Sequence, residues 1–196
     1  MVNKEVIKGI EKPSIGRPLI VSYSYSGNTH TIAEKIQTLT GGDWCEIYPW
    51  QPYPMDYQKL ISQAKREIAF HFRPKLLPAA SPRSYSVIFV GSPNWCGTIA
   101  PPVASWLVKN DLSYKVILPF CSSGGGPSDG IGRDIAGLCP KADVRKTLNV
   151  VNDGGADILK TLEKWLEKNG VMELSGRRIQ PPTDKISNKI SKGRLL

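Results

Sequence analysis

Short apolar segments rich in β-branched residues alternate with segments of helical periodicity through the middle of the chain. Alternation of this kind is typical of parallel sheets whose two faces are covered by helices. The five predicted strands are Leu19–Tyr23, Trp44–Tyr48, Ser86–Gly91, Lys115–Phe120 and Asp143–Val150. The predicted helices are Thr29–Leu39, Tyr57–Ile68, one that begins at Pro101-Pro102, Ser128–Leu138 and one that begins near Asp153. The pattern predicts one doubly wound α/β domain.

Three loops of this predicted sheet carry polar and glycine residues at the ends of strands. They are Ser24–Thr31 after the first strand, Ser92–Thr98 after the third and Cys121–Gly130 after the fourth. Ligands of open α/β sheets bind outside the carboxyl ends of the strands, near the switch in winding direction. We therefore expect the functional residues in these three loops.

The first loop reads S-Y-S-G-N-T-H-T and passes directly into a helix. A glycine permits a tight turn there, and the first N–H groups of a helix lack partners within it, so the junction favours an anion. The residues predicted to hold a phosphate monoester, without Lys or Arg, are Ser24, Ser26, Gly27, Asn28, Thr29, His30 and Thr31. A helix N-cap rich in Ser and Thr explains the segment equally well, as does a solvent-facing position for His30.

The positive charge of the chain is concentrated at its ends. The formal charge of the whole chain is +9, but residues 1–18 carry four basic and two acidic residues, and residues 171–196 carry six and two, which leaves +3 in between. We therefore predict an N-terminal extension (1–17), a globular domain (18–170) and a solvated basic tail (171–196), with no nucleic-acid partner. No apolar run suits a membrane span or a secretory signal, so a cytoplasmic location is expected.

The four cysteines are Cys45, Cys96, Cys121 and Cys139, and they lie far apart in the sequence. There is no C-x-x-C pair and the chain has two histidines, so no metal site is predicted. Cys45 and Cys139 are expected to be buried thiols.

The three loops together resemble those of the flavodoxin-like flavoproteins over about residues 18–170. S-Y-S-G-N-T at Ser24–Thr29 is similar to the phosphate loop of that family, [S/T]-x-[S/T]-G-x-T. G-S-P-N-W-C-G-T at Gly91–Thr98 resembles the loop that places an aromatic ring against the isoalloxazine. F-C-S-S-G-G-G at Phe120–Gly126 resembles the loop along the pyrimidine end of the flavin. The resemblance implies FMN as the cofactor and a sheet of strand order 2-1-3-4-5.

The resemblance also assigns flavin contacts to the second and third loops. The residues concerned are Pro93, Asn94, Trp95, Cys96, Gly97, Cys121, Ser122, Ser123, Gly124 and Gly125. Trp95 is the expected stacking residue, although a core or interface Trp is the alternative. The Cys96-Gly97 peptide is the one expected to turn its carbonyl towards flavin N5, and Cys96 is expected to border the flavin edge. A dithiol role for Cys96 with Cys121 is a weaker alternative.

Three classes of function follow. The first is an FMN-dependent redox protein that passes electrons to a partner protein or a small acceptor, as a monomer or homodimer. The second is an NAD(P)H-dependent quinone or flavin reductase of the same fold, whose pocket the aromatic Pro49–Pro82 region would wall with Trp50, Tyr53, Tyr57, Phe70, His71 and Phe72. The third is a binding module without redox function. A receiver domain and a P-loop hydrolase are disfavoured, because the acidic cluster and the G-x-x-x-x-G-K-[S/T] motif are absent from the sequence. No catalytic residue is assigned.

Overall fold

The computed structural model describes residues 16–126, 128 and 130–171. Most of the predicted N-terminal extension and basic tail lies outside these residues. The strands are β1 (Leu19–Ser22), β2 (Asp43–Glu46), β3 (Val87–Trp95), β4 (Thr98–Ile99), β5 (Val116–Ser123), β6 (Asp143–Val144) and β7 (Leu148–Val151). The helices are α1 (Asn28–Thr40), α2 (Tyr57–Ala69), α3 (Pro101–Lys109), α4 (Gly130–Leu138) and α5 (Ile158–Lys168), with a 3₁₀ turn at Gly155–Asp157 before α5.

The sheet confirms the doubly wound fold. β2, β1, β3 and β5 lie side by side in that order and are all parallel, and β6 and β7 both pair with the free edge of β5. When β6 and β7 are taken as one interrupted edge strand, the parallel strands have the order 2-1-3-4-5 that the family resemblance implied.

The fifth predicted strand, Asp143–Val150, is in fact two strands. β6 pairs with Val116 and Ile117, and β7 pairs with β5 from Phe120 onwards. Pro119 lies between these two contacts. The Ile117 carbonyl accepts a hydrogen bond from the Arg145 N–H, just after β6. Alternate residues of a strand direct their backbone groups to the same side, so the backbone of Pro119 also faces the edge strand. Proline has no N–H to donate, so the pairing of β5 with the edge strand is interrupted at Pro119.

The predicted loop Ser92–Thr98 is also ordered as strand. β3 continues to Trp95 because Ser92 and Pro93 pair with β5 and the next two residues pair antiparallel with β4. The strand β5 likewise extends to Ser123, so the third loop begins at Gly124 rather than at Cys121. Both central strands therefore project past the sheet edge at which β1 ends.

Helices cover both faces of the sheet, and each face has its own apolar core. α1 and α5 pack on one face against Ile20, Phe89 and Leu118. α2, α3 and α4 pack on the other face, against Val21, Val90 and the neighbouring strand residues. Successive strand residues enter opposite cores, as the period of two in a strand requires. Nowhere in the described residues is there a helix with the length and apolar character of a membrane span.

Candidate functional site

A cleft of about 460 Å³ opens at the carboxyl edge of the sheet. It lies where the three predicted loops meet, and the helix α2 forms its outer wall. The residues that line it are Tyr25, Ser26, Asn28, Tyr57, Leu60, Ile61, Ala64, Pro93, Asn94, Trp95, Cys96, Ser122, Ser123, Gly124 and Asn152. No Lys or Arg is among these residues.

The loop between β1 and α1 is built as a tight turn in front of a helix N-terminus. Gly27 has φ of 91°, a left-handed conformation that favours glycine, and its N–H donates to Ser24 Oγ at 3.1 Å. The Thr31 hydroxyl donates back to the Gly27 carbonyl at 3.2 Å. Ser24 and Thr31 therefore shape the loop and do not line the cleft. No described side chain caps α1, so its first N–H groups are available to an anion.

A buried hydroxyl pair joins the helix α1 to the strand β5. Thr29 Oγ1 and Ser122 Oγ are hydrogen bonded at 2.7 Å, and both residues are buried. The start of α1 and the end of β5 are thus fixed relative to one another. Ser122 also lines the cleft, so this pair forms part of its floor.

Trp95 lies in the cleft wall and three tyrosine rings support it. The rings of Tyr23, Tyr25 and Tyr53 contact it edge to face, at centroid distances of 5.8, 6.2 and 4.8 Å. Edge-to-face packing is favourable for aromatic pairs and fixes the orientation of the ring. Trp95 is therefore a rigid aromatic wall that still faces the cleft, and it is not a fully buried core residue.

A buried carboxylate holds one of these tyrosines in place. The Tyr53 hydroxyl donates to Glu67 Oε2 at 2.5 Å, and the other oxygen of Glu67 accepts from Gln63 at 2.8 Å. Burial, with the Glu67 hydrogen bond second, raises the pKa of Tyr53 far above its usual value. Burial also raises the pKa of Tyr23. Both phenols stay protonated at neutral pH, so the support behind Trp95 carries no phenolate charge.

The turn after Trp95 is a two-residue β-hairpin formed by Cys96 and Gly97. Both residues have positive φ, 54° and 85°, as the right-handed twist of a tight hairpin requires. The Gly97 N–H donates to Asn94 Oδ1 at 3.0 Å, and the Thr98 hydroxyl donates to Asp134 on α4. The hairpin is thus held from both ends. Cys96 lines the cleft and is exposed, whereas Gly97 does not line it.

The last residue of β5, Ser123, and the first residue of the third loop, Gly124, also line the cleft. Gly125, which follows them, has φ of 94° and lies outside the lining. Cys121 is fully buried in the core on the α2–α4 face, and its thiol donates to the Ser122 carbonyl. Burial raises the pKa of Cys121 to about 12. Cys121 therefore does not line the cleft that Cys96 lines.

The cleft brings together nine of the predicted contact residues. These are Ser26, Asn28, Pro93, Asn94, Trp95, Cys96, Ser122, Ser123 and Gly124. The predicted residues that do not line it are Ser24, Gly27, Thr29, His30, Thr31, Gly97, Cys121 and Gly125. His30 lies on the outer side of α1, where its ring packs on Trp44 at 4.7 Å and its Nδ1 lies 3.2 Å from Glu46.

Five further residues line the cleft that the sequence did not assign to a site: Tyr25, Leu60, Ile61, Ala64 and Asn152. The helical period of α2 predicted an apolar face but not that part of it would face a cleft. Of the aromatic residues expected to wall a pocket, Tyr57 alone lines this one, while Tyr53 lies behind Trp95. Trp50 and Phe72 line a different cavity, and Phe70 is exposed.

The chemistry of the cleft fits a planar aromatic ligand with an anionic end. It has a rigid aromatic wall, a helix start with free N–H groups, and small polar side chains between them. Its volume lies within the range of about 300–1,000 Å³ that is typical of small-molecule sites. The donors are neutral, which suits a phosphate held by hydrogen bonds alone.

Comparison with known proteins agrees with the architecture. The family profile described as Flavodoxin matches residues 17–169. A candidate flavoprotein from Bacteroides eggerthii has 24% sequence identity and a TM-score of 0.69 over 79% of this chain and 98% of its own. A flavoprotein from Lactobacillus acidophilus, solved in complex with FMN, has 22% identity and a TM-score of 0.61 over 76% of this chain and 97% of its own.

Oxidised flavodoxin 2 from Bacillus cereus is a more distant match, with 17% identity and a TM-score of 0.50 over 76% of this chain and 94% of its own. At these identities the solved structures establish the fold. A search of curated protein sequences gives no match. The family match covers most of the chain. The chain belongs to the flavodoxin family.

Proposed function

We propose that this protein binds FMN in the cleft at the carboxyl edge of the sheet and transfers electrons through the flavin. The observation that carries the proposal is the position of Trp95: a braced aromatic ring faces the same cleft whose other end is an uncapped helix N-terminus. FMN has a planar ring system at one end and a phosphate at the other, so the cleft offers a complementary surface to each.

The phosphate is assigned to the start of α1. Ser26 and Asn28 line the cleft there, and the first N–H groups of the helix add donors and a favourable dipole. Because no Lys or Arg lines the cleft, no cationic side chain of the lining neutralises the phosphate in the site that also holds the flavin ring. A nearby negative charge opposes a further one, so this arrangement favours a low flavin potential.

The flavin ring is assigned to the wall formed by Trp95, with Pro93, Asn94 and Cys96 beside it. FMN, when bound, supplies the one- and two-electron chemistry, and the protein orients it and sets its electrostatic surroundings. Trp95 provides the stacking face, and Tyr23, Tyr25 and Tyr53 prevent that face from rotating away. The helix α2 adds the apolar side chains of Leu60, Ile61 and Ala64 to the lining of the cleft.

The direct test is absorbance spectroscopy of the purified chain from 300 to 700 nm, before and after addition of FMN and during anaerobic titration with dithionite. We expect one FMN per chain and reversible bleaching of the flavin bands. A protein that neither carries nor takes up FMN would contradict the proposal and favour a binding module that has kept the fold without redox function.

A second candidate function is an NAD(P)H-dependent reductase. The observation in its favour is that α2 leaves the cleft open and presents Tyr57, which is 66% exposed, at its mouth. An open mouth would admit a small electron donor or acceptor beside the flavin. Rapid two-electron reduction by NAD(P)H alone would support a reductase, whereas reduction by dithionite only would support an electron carrier.

The electron-transfer partner, a protein or a small acceptor, is part of this proposal, as are a monomeric or homodimeric state and a cytoplasmic location. Carrier flavodoxins usually have an acidic surface, whereas the region 19–170 of this chain has a formal charge of +3 and its ends are basic. A basic surface favours an acidic partner or an anionic small molecule over a basic protein.

A further inference from the structure

We propose that a second cavity, separate from the FMN cleft, binds a small organic anion with an apolar body, a carboxylate or phosphate ester of about the size of benzoate. This cavity has a volume of about 440 Å³ and lies between the end of α2, the strand β4 and the helices α3 and α4. It shares no lining residue with the FMN cleft.

Cationic side chains from two elements meet at this cavity. Arg73, which follows α2, and Arg133 on α4 both line it, and His71 adds an imidazole donor. Within the described part of the chain, neither arginine has a carboxylate within ion-pair distance. Guanidinium groups bind carboxylates and phosphates through paired, charge-assisted hydrogen bonds, so two of them at one cavity favour an anion.

The one carboxylate of the lining is already engaged. Asp134 accepts a hydrogen bond from the Thr98 hydroxyl. With two arginines and one aspartate, the lining has a net positive charge, and the cavity remains suited to an anion.

The rest of the lining is apolar and argues against a bare inorganic ion. Ile68, Ile99 and Leu138 form part of it, and α3 adds small apolar residues. A concave site of this volume with apolar and charged lining residues is typical of small-molecule binding, whereas a protein partner would need a flatter and larger surface.

The cavity and the FMN cleft lie on two sides of one hairpin. Trp95 and Cys96 line the cleft, and Thr98 and Ile99 line the second cavity. The helix α2 is shared in the same way, with Ala64 in the cleft and Ile68 one turn later in the second cavity. A bound anion would therefore contact the two elements that also form the flavin site.

The experiment is calorimetric titration of the full chain, both without and with saturating FMN, with benzoate, phenyl phosphate, benzamide and inorganic phosphate. We expect saturable one-to-one binding of benzoate or phenyl phosphate. Benzamide and inorganic phosphate are expected to bind at least about tenfold more weakly, because benzamide lacks the negative charge and inorganic phosphate lacks the apolar body. Titration without FMN keeps the result independent of the proposed function.

Variants identify the cavity as the binding site. Arg73→Gln and Arg133→Gln should each weaken anion binding by about tenfold, while Arg83→Gln, an exposed arginine outside this cavity, should leave it unchanged. Asp134→Asn removes a repulsive charge but keeps an acceptor for Thr98, so it should tighten binding several-fold. Far-UV circular dichroism of each variant checks folding, and the gain of affinity in Asp134→Asn is a result that an unfolded protein cannot give.

The proposal is overturned if neither benzoate nor phenyl phosphate binds saturably. It is also overturned if benzamide or inorganic phosphate binds as tightly as they do, or if Arg83→Gln weakens binding as much as the two cavity variants.

Discussion

Single residues determine how firmly the candidate FMN site is formed, and Trp95 is the clearest case. Its ring contacts three tyrosines edge to face, and one of these, Tyr53, is hydrogen bonded to the buried Glu67. The stacking wall is thus fixed by side chains that do not line the cleft, apart from Tyr25. A prediction about flavin affinity follows from this.

Replacement Trp95→Ala should weaken FMN binding by roughly 1.5–3 kcal/mol, about tenfold to a hundredfold, because the stacking face and its buried apolar area are lost. The measurement is a fluorescence titration of FMN with the variant. Trp50→Ala is the matched control, since Trp50 is exposed and lies under Lys75 outside the cleft. Equal affinity in the two variants would exclude Trp95 as the stacking residue.

The cysteines provide a second test at this scale. Cys96 is exposed, and Cys45 is half-buried rather than buried as expected, with its sulfur accepting a hydrogen bond from the Ala80 N–H. Cys121 and Cys139 are buried, and burial raises their pKa values to about 12 and 11. The thiolate is the reactive form, so the exposed Cys96 should react rapidly with Ellman's reagent at pH 8. The buried thiols of Cys121 and Cys139 should still react slowly when the pH is raised from 7 to 9. Added FMN should slow the fast phase.

Cys96→Ser is the control for this labelling experiment and should abolish the fast phase. A fast phase that persists in this variant would place the reactive thiol elsewhere. A fast phase that does not change when FMN is added would separate Cys96 from the flavin.

At the scale of elements, the hairpin β3–β4 and the helix α4 are packed backbone to backbone. A Cβ atom added at Gly130 would collide with the carbonyl oxygen of Gly97 in the hairpin turn. The close approach requires glycine at the first position of α4 and ties this helix to the turn beside Trp95.

Gly130→Ala should therefore destabilise the fold by about 1–3 kcal/mol, since either the helix or the hairpin must shift. Gly137→Ala on the same helix has open space around its added methyl group and should be neutral or stabilising by up to about 1 kcal/mol. Urea denaturation of both variants measures the difference. A Gly130→Ala protein as stable as Gly137→Ala would contradict the packing described for the hairpin.

The elements also show what sequence patterns can predict here. The central strands β1, β3 and β5 were predictable because their apolar runs are buried on both faces, and the loop motifs located the cleft. The edge strands β2, β6 and β7 are only partly buried. The hairpin at Cys96 and Gly97 was not, because Pro93, Asn94 and Gly97 favour a loop locally and the strand forms only by pairing with β4 and β5. The break in the edge strand is indicated in the sequence by Pro119, which lacks the N–H that continuous pairing needs.

Prediction of the site was limited for the same reason. The residues contributed by the loops follow from local motifs, but the contribution of α2 depends on how that helix packs. An apolar stripe specifies which residues turn inward, not whether Leu60 meets core atoms or a cleft. Asn152, after β7, carried no local motif and was reached only through the fold.

For the molecule as a whole, stability rests on two cores on opposite faces of one sheet. The core on the α1–α5 face includes Leu162, which is fully buried, next to Trp165 and Phe89. This core lies away from the cleft, so its loss should lower the stability of the fold and leave the geometry of the cofactor site intact in the molecules that remain folded.

Leu162→Ala should cost about 2–5 kcal/mol of unfolding free energy through lost burial and a residual cavity. Leu159→Ala, on the same helix but 45% exposed, should change stability by less than about 1 kcal/mol. Chemical denaturation measures both, and FMN titration at low temperature checks that affinity is kept. Equal stability of the two variants would show that Leu162 does not contribute to an apolar core on this face of the sheet.

The buried hydroxyl pair of Thr29 and Ser122 has a consequence for how a ligand is received. It joins the start of α1 to the end of β5, across 93 positions of the chain. A binding loop that is already fixed loses little conformational entropy on association, so most of the contact energy is kept as affinity. We therefore expect the start of α1 and the end of β5 to keep their relative positions when the cofactor binds.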